Sequence, residues 1–172
     1  NLNHDYTYDS RERRLSKDRE SYAYASNDSL LVSGESKYTY DPRGNPIRKV
    51  KGFSIVEYTY DALDRLTSSS ERGLWRLEYR YDAFNRRVVT VEYSSNAGQW
   101  KEEKRLRYLY QGNDEVGSID ESSDLLDFRV LRPGRNKRAV ILESKGKAYA
   151  PIYDHNGSMA ALIERDQSGT LV

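Results

Sequence analysis

The stretch Tyr58-Thr59-Tyr60-Asp61-Ala62-Leu63-Asp64-Arg65-Leu66 decides the fold, because its pattern returns along the chain. Twelve of the 15 tyrosines fall in Tyr-x-Tyr pairs, at 6/8, 22/24, 38/40, 58/60, 79/81 and 108/110. The second members lie 16, 16, 20, 21 and 29 residues apart. Four pairs are followed at once by aspartate: Asp9, Asp41, Asp61 and Asp82. Three positions on stand Glu12, Gly44, Asp64 and Asn85, then Arg13, Asn45, Arg65 and Arg86. Each unit runs out into an apolar residue such as Leu15, Ile47, Leu66 or Val88. Residues i and i+2 share one face of a strand, so each pair sets two rings on that face. The aspartate accepts a backbone hydrogen bond at the head of a turn. Gly, Asn or Asp three residues later takes the left-handed conformation that closes a hairpin with a bulge. Glu12 suits that position least.

Between these turns lies a second, variable set. Lys51-Gly52 separates Ile47–Val50 from Phe53–Tyr60; Glu71-Arg72-Gly73 separates Leu66–Ser69 from Leu74–Tyr81; Ser94 through Gly98 follows Arg87–Tyr93. Within strands the sides alternate, with Trp75, Leu77, Tyr79 and Tyr81 on one face and Arg76, Glu78 and Arg80 on the other. Past Tyr110 the turn signals are Gly112-Asn113-Asp114, Glu121 to Asp124, Pro133 to Asn136 and Asp154 to Ser158, where Asn156-Gly157 reads as a tight hairpin. Strands are expected over Glu115–Glu121, Leu125–Leu131, Ala139–Glu143, Lys147–Tyr153 and Met159–Arg165. Gln167-Ser168-Gly169 opens a further turn. No long 3.6-residue period appears. The expectation is an all-β, curved antiparallel meander of hairpins, about a dozen strands and ~55 Å wide. It forms one strip over 1–172, regular to 110 and altered over 111–172.

Composition agrees with a folded chain built on an unusual core. Leu, Ile, Val and Phe make 35 of the 172 residues, and mean hydropathy is −0.91, so tyrosine supplies much of the large apolar-bodied surface. Net charge is +1, without the basic excess of a nucleic-acid binder. Cysteine is absent, which excludes disulfides, thiolate metal sites and cysteine nucleophiles. No apolar run approaches the ~20 residues of a membrane helix. The first residues show no secretory leader, and the chain starts directly in the repeat, as a piece of a longer protein would.

The repeat resembles the YD repeats of bacterial Rhs proteins, toxin-complex C subunits and animal teneurins. Tyr108-Leu109-Tyr110-Gln111-Gly112-Asn113-Asp114-Glu115-Val116-Gly117-Ser118-Ile119 is similar to the late shell of Rhs proteins. So is Ala150-Pro151-Ile152-Tyr153-Asp154-His155-Asn156-Gly157-Ser158. The resemblance implies an open segment of a spiral β-shell around a toxic polypeptide, secreted or on the surface of a bacterium. Its partners would be the rest of the parent shell and the enclosed toxin. The self-cleaving closing motif of bacterial shells is not read here, so neither the cleavage site nor the toxin is expected. A cell-surface or secreted module whose strip recognises a glycan or a partner protein is the alternative function, and self-association through exposed strand edges is expected.

The residues assigned a structural repeat role are Tyr6, Tyr8 and Asp9; Tyr38, Tyr40, Asp41 and Gly44; Tyr58, Tyr60, Asp61 and Asp64; Tyr79, Tyr81, Asp82 and Asn85; Tyr108 and Tyr110; and Tyr153, Asp154 and Gly157. The tyrosine rows are read as cross-strand packing. No catalytic, cofactor-binding or metal-ligating residue is assigned. His155, beside Asp154 and Ser158, sits on a tight turn whose neighbouring side chains point apart, which is not a triad. His4 is expected to fray. Asp120, Glu121, Asp124 and Asp127 lack the spacing of a calcium loop. Arg129, Arg132, Arg135, Lys137 and Arg138, and likewise Lys101, Lys104, Arg105 and Arg107, read as cations guarding a strand edge.

Overall fold

The computed structural model describes residues 4–165 except 135 and 136. Every regular element among them is a strand. Sixteen follow in chain order: β1 (Tyr6–Tyr8), β2 (Arg14–Lys17), β3 (Glu20–Tyr24), β4 (Leu30–Ser33), β5 (Ser36–Tyr40), β6 (Pro46–Lys51), β7 (Ser54–Tyr60) and β8 (Leu66–Glu71). β9 (Trp75–Tyr81), β10 (Arg87–Asn96), β11 (Gln99–Gln111), β12 (Asp114–Ile119), β13 (Leu125–Leu131), β14 (Ala139–Ser144), β15 (Lys147–Tyr153) and β16 (Met159–Arg165) complete them. They make one antiparallel meander, each strand bonded to the next, and the sheet does not close. The all-β meander therefore holds, but with sixteen strands rather than a dozen. Each 16-residue interval before Tyr40 accommodates two strands, because three to five residues suffice for each of β1 to β5. The turn expected at Gln167-Ser168-Gly169 lies outside the described residues.

Contacts gather into two compact units, Asn1–Glu78 with Glu92–Lys101, and Tyr79–Val91 with Glu102–Val172. In the first, the ladder registers put all tyrosine pairs of β1 to β7 on one face. Tyr38 opposes Lys49, which opposes Val56; Tyr58 opposes Ser69, which opposes Leu77. In the second, Val91 and Val116 are the buried apolar residues, and Thr90 and Ser118 are buried beside them. A sheet so poor in buried aliphatics must be held by something other than a deep core.

Several local expectations need correction. Phe53 and Leu74 were assigned to strands, but Lys51 pairs with Ser54 and Glu71 with Trp75, which leaves both in turns. Phe53 is 107% exposed as a result. The Ser94–Gly98 turn shrinks to Ala97-Gly98, since β10 runs on to Asn96. Both residues have positive φ, 49° and 83°, as a two-residue hairpin loop requires. The Asn156-Gly157 hairpin is instead a five-residue aspartate turn. Gly157 N bonds back to Asp154 O at 3.0 Å, and only Gly157 has positive φ. The two basic groups do not guard an edge, because β11 and β13 each have a strand on both sides.

Candidate functional site

The aspartate turns are the most regular chemistry in the molecule. In the turn after β7, Asp61 Oδ1 accepts from the backbone N–H groups of Leu63 (2.9 Å) and Arg65 (3.1 Å). Asp64 N donates to Asp61 O at 3.1 Å, and Asp61 N to Arg65 O at 3.0 Å. The same four bonds recur from Asp9, Asp41, Asp82 and Asp154. The residue three positions on is left-handed each time: Glu12 (φ 61°), Gly44 (91°), Asp64 (58°), Asn85 (63°) and Gly157 (85°). Glu12 thus adopts the conformation for which its side chain is poorly suited. Ala25 to Ser29 and Asp120 to Asp124 share this backbone closure, with Asp28 at 66° and Ser123 at 70°. The register slips immediately before the second tyrosine of the pair, between Thr7/Tyr8, Ala23/Tyr24, Thr39/Tyr40 and Thr59/Tyr60.

Arginine finishes the turn. Arg13, Arg65 and Arg86 each donate Nε to the second carboxylate oxygen of their aspartate at 2.7 Å, and Asn45 Nδ2 reaches Asp41 at 3.1 Å. Desolvation pushes the Asp9, Asp41 and Asp61 carboxyls up, but the turn N–H groups and the Arg or Asn side chain outweigh it and hold them below their ordinary value. At Asp82 the Arg86 N–H leads, over desolvation, in the same direction. These carboxylates stay ionised and committed to the backbone.

At five places a tyrosine at or near the end of its strand closes the gap that the slip opens. Tyr24 OH donates to Arg14 O (3.0 Å), Tyr40 to Leu30 O (2.7 Å), Tyr60 to Pro46 O (3.0 Å), Tyr110 to Arg87 O (2.9 Å) and Tyr153 to Ala139 O (3.0 Å). Each acceptor belongs to the first residue of the preceding strand. Burial raises the Tyr40, Tyr60 and Tyr110 hydroxyls above their ordinary value. The arginine of the previous turn lies over the same ring, Arg13 on Tyr24 at 5.0 Å, Arg86 on Tyr110 at 4.9 Å and Arg138 on Tyr153 at 5.3 Å. One lock therefore joins two hairpins: aspartate and arginine from one turn, tyrosine from the next.

The first tyrosines use cations as well. Arg14 sits over Tyr6 (5.1 Å) and Tyr22 (5.6 Å), and Arg87 over Tyr79 (5.6 Å) and Tyr108 (4.7 Å). Rows of ring, guanidinium and ring run across the strands. Tyr58 occupies the equivalent place in β7. Neighbouring turns are also linked: Arg11 and Arg13 reach Asp28, and Arg43 and Asn45 reach Asp64 at 3.0 and 2.8 Å. Sequence reasoning placed Arg13, Arg65 and Arg86 in the consensus without seeing their task, and it passed over Arg14, Arg87 and Tyr24. An arginine four residues after Asp9, Asp61 and Asp82 was the available signal.

The remaining candidates resolve locally. Asp154 spends Oδ1 on the N–H groups of Asn156 (2.9 Å) and Ser158 (2.8 Å), so it does not orient His155. His4 is bonded rather than frayed, its Nδ1 lying 2.8 Å from Asp18 Oδ2. Asp120 accepts from Asp124 N, Asp127 from Ser118 Oγ, and Glu121 pairs with Arg105. No group of three or more His, Asp or Glu is placed to hold a metal ion among the described residues. Arg129 pairs with Glu115 (3.0 Å) and Asp127 (3.5 Å), and Lys137 with Asp114. Arg135 lies outside the described residues.

Comparison with known proteins agrees with this geometry. A family model described as Teneurin YD-shell matches residues 2–172. A double-stranded DNA deaminase toxin A from Burkholderia cenocepacia (strain H111) is 27% identical over 109 residues. That match covers 60% of this chain and 8% of the toxin protein, so the chain spans a small part of its relative's length. No helix among the described residues is long and apolar enough to cross a membrane, which leaves β-barrels aside.

Proposed function

We propose, from the premise that this chain belongs to the Teneurin YD-shell family, that it is a wall segment of a bacterial shell which encloses a toxic polypeptide and helps deliver it outside the producing cell. The observation that carries the reading is the lock shared by consecutive hairpins, exemplified by Asp82, Arg86 and Tyr110. A wall needs a register that cannot slide. A slip of one residue would turn every tyrosine to the other face and part each hydroxyl from its carbonyl. Likeness to a toxin protein supports the cargo. The chain's role is mechanical, and the rest of the parent protein is its partner. The aromatic rows serve the wall better than a sugar platform, because guanidinium groups already lie on Tyr6, Tyr22, Tyr79 and Tyr108.

The test uses the complete parent protein. Its toxic polypeptide should resist added protease, and replacing Tyr40, Tyr60 and Tyr110 together by Phe should make it digestible at a lower denaturant concentration. Equal digestion with and without an intact wall would refute enclosure.

A further inference from the structure

Toward the ends of the strands away from the aspartate turns, serines replace tyrosines on the tyrosine face. Ser36, Lys51 and Ser54 form the row next to Tyr38, Lys49 and Val56. The face sinks there into a depression of about 710 Å³, whose lining includes Arg19, Glu20, Glu35, Tyr38, Lys49 and Lys51. A second hollow, about 210 Å³, adjoins it and is lined by Ser54, Val56, Tyr58 and Trp75 with the same two lysines. Lys49 and Lys51 are thus a cationic ridge between a polar trough and an apolar one.

The charges on this surface are unequally satisfied. Glu20 accepts from Tyr22 OH at 3.1 Å, Glu71 accepts from the Trp75 indole at 3.1 Å, and Glu35 stands 3.9 Å from Lys51. Arg19 and Lys49 have no ion-pair partner among the described residues; Lys49 lies only 6.0 Å from the Tyr38 ring. The turns that lead into β7 and β9 carry two large exposed apolar side chains, Phe53 at 107% exposure and Leu74 at 58%. Phe53 adjoins Ser54, and Leu74 adjoins Trp75. Exposed aromatic and aliphatic groups bordered by charged ones match the apolar centre and polar rim of an interface. A nucleic acid or a sulfated glycan would use the lysines and leave Phe53 and Leu74 in water. A polypeptide can use both.

We propose that this surface docks a polypeptide segment in which a carboxylate neighbours a large apolar side chain. The carboxylate meets the Lys49–Lys51 ridge, and the apolar side chain enters the hollow beside Val56 and Trp75, against Phe53 and Leu74. The inference does not depend on enclosure of a toxin.

The experiment measures binding of the whole chain to an array of synthetic nonapeptides. They carry Asp or Glu beside Leu or Phe, with acid-only, apolar-only and lysine-for-acid versions. Oligoglutamate, a sulfated glycosaminoglycan and single-stranded DNA serve as polyanion probes. Acid-plus-apolar peptides should bind best and weaken with added salt. Their affinity should fall at least tenfold in Lys49→Glu/Lys51→Glu and in Phe53→Ser, and stay unchanged in Arg48→Ala on the opposite face. Circular dichroism verifies that each variant keeps its sheet. The proposal is overturned if no peptide binds, if the variants bind like the parent, or if the polyanion probes bind equally well.

Discussion

Removing one oxygen atom from Tyr40 isolates what the tether contributes. Tyr40 OH donates to Leu30 O at 2.7 Å, a good length for a hydroxyl donor. Tyr40→Phe keeps the ring and leaves that carbonyl without its partner at a half-buried site. A neutral hydrogen bond of this kind contributes about 1 kcal/mol net, within about 0.5–1.5. The control lies two residues away on the same strand and face. Tyr38 interacts through its ring with Lys49 at 6.0 Å, so Tyr38→Phe should cost close to nothing. For a chain of this size 1 kcal/mol corresponds to a melting shift of roughly 2–4 °C. Paired thermal and urea melts of the two variants give the comparison. Burial raises the Tyr40 hydroxyl above its ordinary 10.0. An acid whose folded pKa is raised contributes its full stability below the unfolded pKa and loses it as pH rises through the folded one. The wild-type chain should therefore lose stability above pH 10, and Tyr40→Phe should lose less. If Tyr40→Phe and Tyr38→Phe melt together, the hydroxyl is not a tether and the lock is merely ring packing.

Acid gives a complementary test. The carboxyls of Asp9, Asp41, Asp61 and Asp82 are held below their ordinary 3.8, so the stability they confer is present above that pH and lost as pH falls through their folded values. Asp61→Asn should flatten the acid limb of a pH–stability curve, and an unchanged limb would contradict the turn assignment. Gly44→Val should cost on the order of 1–2 kcal/mol, since φ is 91° there and a β-branched residue resists it. Gly44→Asn should cost less, because asparagine tolerates the left-handed region better than a β-branched residue does; equal melts for the two would remove the left-handed requirement. Gly117→Ala should destabilise by about 1–3 kcal/mol, since its methyl would overlap the Asp127 carbonyl oxygen and sit 3.2 Å from Phe128 Cα. Chemical denaturation checks it, and a neutral result would mean that β12 and β13 part easily.

Strand positions could be read because the turns punctuate them. Leu125–Leu131, Lys147–Tyr153 and Met159–Arg165 begin and end where the flanking Gly, Asp and Ser clusters say. The failures came where a residue acts outside its own hairpin or its type misleads. Phe53 looks like strand material, yet Gly52 at φ 56° starts the loop one residue before it. Ala25 lacks a carboxylate, so the turn at Asp28 was invisible, although two backbone bonds and the Asn27 side chain close it. The consensus contains Arg13 and Arg86 but gives them no task, because their second partners, Tyr24 and Tyr110, are 11 and 24 residues away. Nothing in a local pattern reports that.

The repeat is therefore better understood as a joint than as a hairpin. The aspartate could be satisfied within its turn by backbone N–H groups alone, and the turn after Asp154 manages with them. The arginine adds little to that closure, but it gives the next tyrosine a flat cation to rest on. For Tyr24 and Tyr110 the hydroxyl then finds the carbonyl of the residue that follows that arginine, whereas Tyr40 and Tyr60 reach Leu30 and Pro46, which follow Ser29 and Asn45. For Tyr24, Tyr40 and Tyr60 the bond spans 10, 10 and 14 residues, so each joint forms from chain segments that are near neighbours in sequence. Such short closures cost little loop entropy, which favours a sheet that grows one hairpin at a time. With few aliphatics fully buried, stability comes from repeating this joint. A change at one joint should accordingly be felt most by the two hairpins it connects, as in repeat proteins whose units interact mainly with their nearest neighbours.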